Sequence, residues 1–252
     1  MKTINLKELF QKINYDYFFD KEKIEKICFY TKTRVKADPV EEISLTRGME
    51  QPFFVKSIVD WFKAKKFFEI GTGRGTASYS VSLSPSIEKI ITIDIVPHAQ
   101  KKEQAIGFKP AYVSNEDLYK LMPYEEKQKI SFKQRGDLPV LLDQEEKYDV
   151  CFIDGNHSDP AVIFEDYMIC KKIMKEDGII IWDDYEQDKF AIKTVVDHVL
   201  KSDKDLDAVL VEFRGHLFES ENKEKNSGMV IMKKGELFDA NVYFSTKRKL
   251  DL

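Results

Sequence analysis

Glu69-Ile70-Gly71-Thr72-Gly73-Arg74-Gly75 is the stretch on which the reading of this chain turns. It continues a short apolar strand, Lys66-Phe67-Phe68-Glu69-Ile70, and runs into a helical segment from Thr76 to Leu83. Three alternate glycines between a strand and a helix have a physical use. Glycine lacks the Cβ that forbids unusual φ/ψ values, so a ligand can approach the backbone closely. The helix start that follows presents free N–H groups. A second strand, Lys89-Ile90-Ile91-Thr92-Ile93-Asp94, comes next and ends in an acid placed to accept hydrogen bonds from ribose hydroxyls.

Such a loop suits either a dinucleotide or another nucleoside cofactor, and spacing separates the two. Dinucleotide sites favour GxGxxG, whose third glycine admits the pyrophosphate and packs the helix. Here that position is Thr76, and the third glycine stands one residue earlier, at Gly75. S-adenosylmethionine has no pyrophosphate and needs no such geometry. The spacing favours a methyltransferase, and a dehydrogenase stays as a rival that NAD binding would reveal.

Outward from the loop, strand-like and helix-like segments alternate. Lys129–Lys133, Tyr148–Asp154 and Gly178–Asp183 read as strands; Ala161–Met174 and Phe190–Leu200 read as helices. Upstream, Phe53, Phe54, Ile58, Val59 and Phe62 recur at helical spacing behind Pro52. Alternation of this kind implies a mostly parallel sheet covered on both faces. Asp207–Phe213 and Met229–Lys233 follow without a crossover helix, so an antiparallel pair is expected at the end. The expected fold is α/β: a Rossmann-like, doubly wound, mostly parallel seven-stranded sheet with a C-terminal antiparallel pair and a helical N-terminal appendage. The division is 1–48 as a helical cap, 49–234 as the catalytic domain and 235–252 as a tail. The segment Leu45-Thr46-Arg47-Gly48-Met49, with its hinge-like glycine, is expected to close over the site.

Composition narrows the function classes. The 252 residues are 42% hydrophobic, enough for one sizeable core, and carry a net charge of −4 with acids and bases mixed along the chain. No long basic run marks a nucleic-acid partner. No apolar run approaches the roughly 20 residues that span a bilayer, and the N-terminus lacks a signal-peptide core, so the cytoplasm is the expected location. Cys28, Cys151 and Cys170 show no CxxC spacing, and Cys151 reads as a buried reduced thiol. An exposed apolar face on the N-terminal helices would favour a homodimer.

Acids carry the second signal. Asp154 ends one strong strand, and Asp183-Asp184 end the next. In an open α/β sheet, ligands bind beyond the carboxyl ends of the strands, so these acids share the crevice of the glycine loop if the strands are neighbours. Three clustered carboxylates are costly without a cation, and a hard divalent ion such as Mg²⁺ prefers oxygen ligands. The bland alternative is three acids solvated or capping helices. His157, three residues after Asp154, titrates near neutrality in its unperturbed state and can take a proton from a hydroxyl. Its own alternative is a loop or helix-capping histidine. His98, His198 and His216 have no such company and read as structural.

Glu69 to Gly75 resembles motif I of class I S-adenosylmethionine-dependent methyltransferases. Ile153-Asp154-Gly155-Asn156-His157 with Ile181-Trp182-Asp183-Asp184-Tyr185 is similar to the metal pattern of cation-dependent small-molecule O-methyltransferases, and Gln51 with its helix resembles their lead-in. The similarity spans roughly Met49 to Lys233. It implies that Glu69, Gly71 and Gly73 surround the methionine part, with Thr72 and Gly75 in the same cofactor loop, and that Asp94 binds the ribose. Gly136-Asp137 is similar to the adenine-contacting position, a simple turn being the alternative. Asp154 falls to both cofactor and metal, and Asp154, Asp183 and Asp184 become the Mg²⁺ ligands. Asp184, where the catechol-type branch has Asn, is closer to the branch methylating sugar hydroxyls, in which a histidine at the place of His157 can be the base. The implied acceptor is a small molecule, a sugar or glycoside among the candidates. A metal-independent N- or carboxyl-methyltransferase and a non-catalytic cofactor-binding module remain as rivals.

Overall fold

The computed structural model describes residues 1–31, 36–37, 43–44, 49–104, 111–186, 191–218 and 227–234. Leu45 to Gly48, most of the stretch expected to close over the site, and the tail 235–252 lie outside the described residues, as do 187–190 after the Asp183-Asp184 strand.

In chain order the main strands are β1 (Lys2–Asn5), β2 (Lys66–Ile70), β3 (Lys89–Asp94), β4 (Ile130–Gln134), β5 (Tyr148–Ile153), β6 (Met174–Glu186), β7 (Leu206–Glu212) and β8 (Ser227–Lys234). The helices are α1 (Leu6–Ile13), α2 (Tyr17–Tyr30), α3 (Gln51–Phe62), α4 (Thr76–Ser82), α5 (Asn115–Leu121), α6 (Leu138–Asp143), α7 (Pro160–Ile173) and α8 (Ile192–Ser202). One sheet holds all eight strands in the order β1-β7-β8-β6-β5-β2-β3-β4. β8 runs antiparallel to both β6 and β7, and every other neighbouring pair is parallel.

The strand count corrects the expectation of seven. β1 adds itself parallel to β7, with Lys2 opposite Val209 and Asn5 opposite Glu212. The N-terminal segment is therefore not purely helical. Four residues with one buried apolar side chain leave no periodic signature, and the pairing partner lies about two hundred residues away. α1 and α2 fall in the expected helical cap, and each starts on a side-chain cap: Asn5 accepts from Glu8 N and Asp16 from Phe18 N.

The sheet is buried on both sides. Phe67, Ile90, Val150, Phe152, Ile179 and Ile181 pack with α1 to α4 on one face. Phe68, Ile91, Cys151, Ile153, Ile180 and Trp182 pack with α7 and α8 on the other. Burying one such Ile or Phe is worth roughly 1.5–3 kcal/mol, so strands with apolar residues at every position are the stable solution for a sheet covered twice. All three cysteines are buried and free, as expected for Cys151. No helix among the described residues is long and apolar enough to cross a membrane.

Candidate active site

The carboxyl ends of β2, β3 and β5 meet at one cleft of about 550 Å³, lined among others by Gly71, Gly73, Asp94, Ile95, Arg135, Asp154, His157, Val162 and Asp166. The parallel register brings them there: Ile70 lies between Ile93 and Ile153. Gly71 closes the junction, its N–H donating to Ile93 O at 2.8 Å while Asp154 N donates to Ile70 O at 2.8 Å. With φ +97°, a Cβ on Gly71 would fall 1.9 Å from the Asp154 carbonyl oxygen. Gly73 differs: φ is +52°, but nothing lies within 4 Å of where a Cβ would stand. Its backbone is open to an approaching ligand.

Glu69 is 1% exposed and lies beneath the loop rather than lining the cleft. Its carboxylate accepts from Ser78 Oγ and, at 2.5 Å, from Thr92 Oγ1. Burial pushes its pKa up to about 7 despite those hydrogen bonds. Thr72 is likewise buried, its hydroxyl 2.7 Å from that of Thr92. Gly75, at φ +79°, packs toward Tyr79 at the start of α4. Asp94 lines the cleft and accepts from Gly73 N at 3.2 Å and Val96 N at 3.0 Å. Asp137 does not join this group. It is exposed, and its Oδ2 accepts from Gln134 N at 2.9 Å in a turn preceding α6. The residue of that turn lining the cleft is Arg135.

At the other end, β5 and β6 are parallel neighbours, so their terminal acids converge. In a regular strand Asp183 and Asp184 would point to opposite faces. Here the β6–β8 register shifts between Trp182 and Tyr185, one residue too many against Val230 and Gly228, and Asp184 takes φ +51°. That bulge re-aims the pair. Gln51, at the start of α3, donates from Nε2 to Oδ2 of both Asp154 (3.0 Å) and Asp183. Asp184 Oδ1 accepts from Arg214 Nη2.

The loop presenting His157 is shaped by its neighbour. Asn156 Oδ1 accepts from Ser158 N at 2.8 Å and Asp159 N at 2.7 Å, and Asp159 caps α7. The imidazole lies with Nε2 4.0 Å from Asp154 Oδ1 and Nδ1 3.5 Å from Asp184 Oδ2. Burial, with Asp183 and Asp184 adding to it, raises the Asp154 carboxyl well above the usual carboxylate range. Asp183, buried and beside Asp184, is pushed up to about 7.

One set of groups among the described residues could hold a cation. Asp154, His157 and Asp184 offer ligand atoms all within 4.8 Å of one another. Asp183 adds a buried Oδ1 with no hydrogen-bond partner. Carboxylate oxygens that are buried, crowded and partly unsatisfied match a hard divalent ion.

Three placements lay beyond sequence reading. Gln51 bridges two acids, Arg214 pairs with a third, and Arg135 lines the cleft. Pairings across thirty or more residues leave no local pattern. Trp182 and Tyr185 are in the core: Trp182 stacks on Tyr167 and the Tyr185 hydroxyl donates to Asp197. His98 is structural, with Nε2 2.8 Å from Lys133 O and Nδ1 2.9 Å from Asn115 Nδ2.

Comparison with known proteins bears on the fold. Residues 68–185 match a family model described as a methyltransferase domain. No curated protein matches the chain by sequence. Among solved structures, the O-methyltransferase TomG from Streptomyces achromogenes, involved in tomaymycin synthesis and solved with SAM, superposes at TM-score 0.56 and 14% identity, over 88% of this chain and 96% of that one. The O-methyltransferase from Bacillus cereus, in complex with SAH, gives TM-score 0.53 and 12% identity over 90% and 99%. The SAH-bound Podospora anserina methyltransferase PaMTH1 gives 0.54 and 13% over 87% and 93%. Residues 68–185 thus resemble a methyltransferase domain, and the chain has the fold of these solved O-methyltransferases.

Proposed function

We propose that this protein moves a methyl group from S-adenosylmethionine to a hydroxyl of a small molecule bearing adjacent oxygens, such as a sugar or glycoside. Mg²⁺ would be held by Asp154, Asp183 and Asp184, with His157 as the general base. The observation that carries this reading is the placement of the His157 imidazole between Asp154 and Asp184, on the cleft that the glycine loop also lines. The reading treats 49–234 as the catalytic domain and 1–48 as its cap. The exposed Phe18 and Phe19 on α2 are the apolar face on which a homodimer would rest.

The roles follow from the chemistry of the side chains. Gly71 and Gly73 let the donor lie against the backbone, and Asp94 accepts hydrogen bonds from its ribose. The sulfonium of the donor supplies an already activated methyl group, so the protein has to position the acceptor oxygen and take its proton. Positioning of this kind accounts for roughly 7–11 kcal/mol of a barrier. His157 is within reach of an oxygen held at Asp154 and Asp184, and those carboxylates stabilise the imidazolium formed when it takes the proton. Bound at the three acids, a divalent ion would act as a Lewis acid, lowering the hydroxyl pKa and fixing two acceptor oxygens. Gln51 keeps Asp154 and Asp183 in register from the side of α3.

A calorimetric titration of Mg²⁺ into protein loaded with S-adenosylhomocysteine tests the metal. Saturable binding abolished by Asp154→Asn supports the reading, and absence of binding to the wild type counts against it. A metal-independent methyltransferase is the second reading, favoured by Arg214, which already offsets the charge of Asp184. Turnover insensitive to EDTA would select it.

A further inference from the structure

Arg74 sits inside the glycine loop and yet is not among the residues lining the cleft. The loop turns back between Thr72 and Gly75, where Gly75 N donates to Thr72 O at 2.7 Å. Gly73 and Gly75, on either side of Arg74, take φ of +52° and +79°. A backbone so rich in glycine has many conformations to lose when a ligand fixes it. A tie that holds the turn before the ligand arrives lowers that cost.

Such a tie runs from behind the loop to the N-terminal segment. Arg74 is 7% exposed, and its Nη1 donates to Thr31 O at 3.2 Å. Thr31 caps the carboxyl end of α2 and is fully buried. Its hydroxyl donates to Ile27 O at 2.9 Å and accepts from Oγ1 of Thr76, the first residue of α4, at 3.1 Å. The last carbonyls of a helix have no partner within it and form the negative end of its dipole. A guanidinium suits that end, and burial lowers the pKa of this one only to about 10, so it keeps its charge at neutral pH. The two side chains flanking Gly75 thus grip the end of α2, although 43 and 45 positions separate them from Thr31.

We infer that Arg74 is a positioning residue for the donor site: by tying the glycine loop to the carboxyl end of α2, it makes the order of the loop depend on the docking of that helix. Coupling between two places is reciprocal, so a bound donor holds α2 by the same factor with which α2 favours the donor. The N-terminal segment is on this account part of the donor-binding unit and not only a cover for the acceptor. The inference rests on the reading of the glycine loop as the donor site.

Hydrogen exchange and calorimetry on the full chain, with S-adenosylhomocysteine as the probe, test it. In the wild type the probe should slow exchange of the amides from Ile27 to Thr31 about tenfold more than that of α8, which packs on the other face of the sheet. Arg74→Met keeps the length and removes the charge. It should weaken the probe about tenfold and bring the protection of α2 down to that of α8. Arg74→Lys, which can still donate to Thr31 O, should recover much of both. A residue that merely stabilised the fold would move α2 and α8 alike. Equal protection of the two helices in the wild type, or wild-type affinity in Arg74→Met, overturns the inference while leaving the donor site standing. Failure of the wild type to bind the probe sinks the donor reading and the inference with it. Should Arg74→Met fail to fold, Thr76→Val, which removes only the hydroxyl contact to Thr31, carries the same comparison with a smaller factor, about threefold.

Discussion

Nδ1 of His157 stands 3.5 Å from Oδ2 of Asp184, although the two residues belong to different strand ends and lie twenty-seven positions apart. The contact exists because β5 and β6 are parallel neighbours and because a bulge turns Asp184 out of the regular pleat. An imidazole beside two carboxylates is placed to hold a proton on one nitrogen while the other accepts one from a substrate. Replacing His157 by Ala should lower turnover by about 10²–10⁴. The affinity for S-adenosylhomocysteine should stay within about twofold of wild type on this view, because the imidazole acts on the acceptor. Steady-state rates beside a calorimetric Kd check both halves, and an unchanged rate removes His157 from the role.

The two cleft-lining glycines should respond differently to one methyl group. Gly71→Ala puts a Cβ 1.9 Å from the Asp154 carbonyl at φ +97°, so β2 and β5 would have to separate. Severe destabilisation, several kcal/mol in urea unfolding or failure to fold, is expected. Gly73→Ala meets no atom, and only the left-handed backbone at φ +52° opposes it, at a cost of roughly 1–2 kcal/mol. The folded Gly73→Ala protein should still lose donor affinity, since the methyl group occupies the open side of the loop. Equal unfolding midpoints for the two variants would contradict this account.

Buried acids set the pH dependence of the metal-free protein. The Asp183 carboxyl moves from its ordinary value of 3.8 up to about 7 in the fold, chiefly through burial and then through Asp184. Between those values the folded chain binds a proton that the unfolded chain has released, so this group makes stability fall as pH rises from about 4 to about 7. Asp183→Asn removes the proton uptake. In EDTA, the melting temperature of the variant should gain on the wild type across that window and then run parallel to it. A constant difference from pH 4 to 8 would show that Asp183 titrates normally.

On the proposed reading, Arg214 and a divalent ion would compete for the Asp184 carboxylate. Arg214→Gln removes the cation now paired with Asp184 and should raise Mg²⁺ affinity about tenfold, with a smaller salt dependence. Titration calorimetry on both proteins decides it. A weaker Mg²⁺ site in Arg214→Gln would mean that the arginine holds Asp184 in the ligating position.

Much of the fold was legible in the chain itself. The strands β2 to β8, the helices α3, α4, α7 and α8, the antiparallel final pair, and the meeting of a glycine loop with acid-tipped strands follow from apolar runs, helical spacing and turn residues, whereas the short helices α5 and α6 carried no such signal. These are local properties, because a doubly covered strand must be apolar throughout and a ligand loop must lack Cβ atoms. β1 escaped notice for the converse reason: Lys2-Thr3-Ile4-Asn5 is a strand only because Val209 and Leu210 stand beside it. The acids were legible as a set, since each follows a strong apolar run, although β6 continues past Asp183 and Asp184 to Glu186.

What tertiary structure alone decided is which side chains share one space. Asp137 and Arg135 are two residues apart, yet a turn sends one to solvent and the other into the cleft. Trp182 and Asp183 are adjacent, yet one is packed on Tyr167 and the other accepts from Gln51. Gln51 reaches Asp154 and Asp183 across 103 and 132 positions. Secondary structure is written in short-range sterics and hydrophobic period, which neighbouring residues suffice to specify. A site is made of long-range contacts, whose partners are chosen by strand order, register and a single bulge.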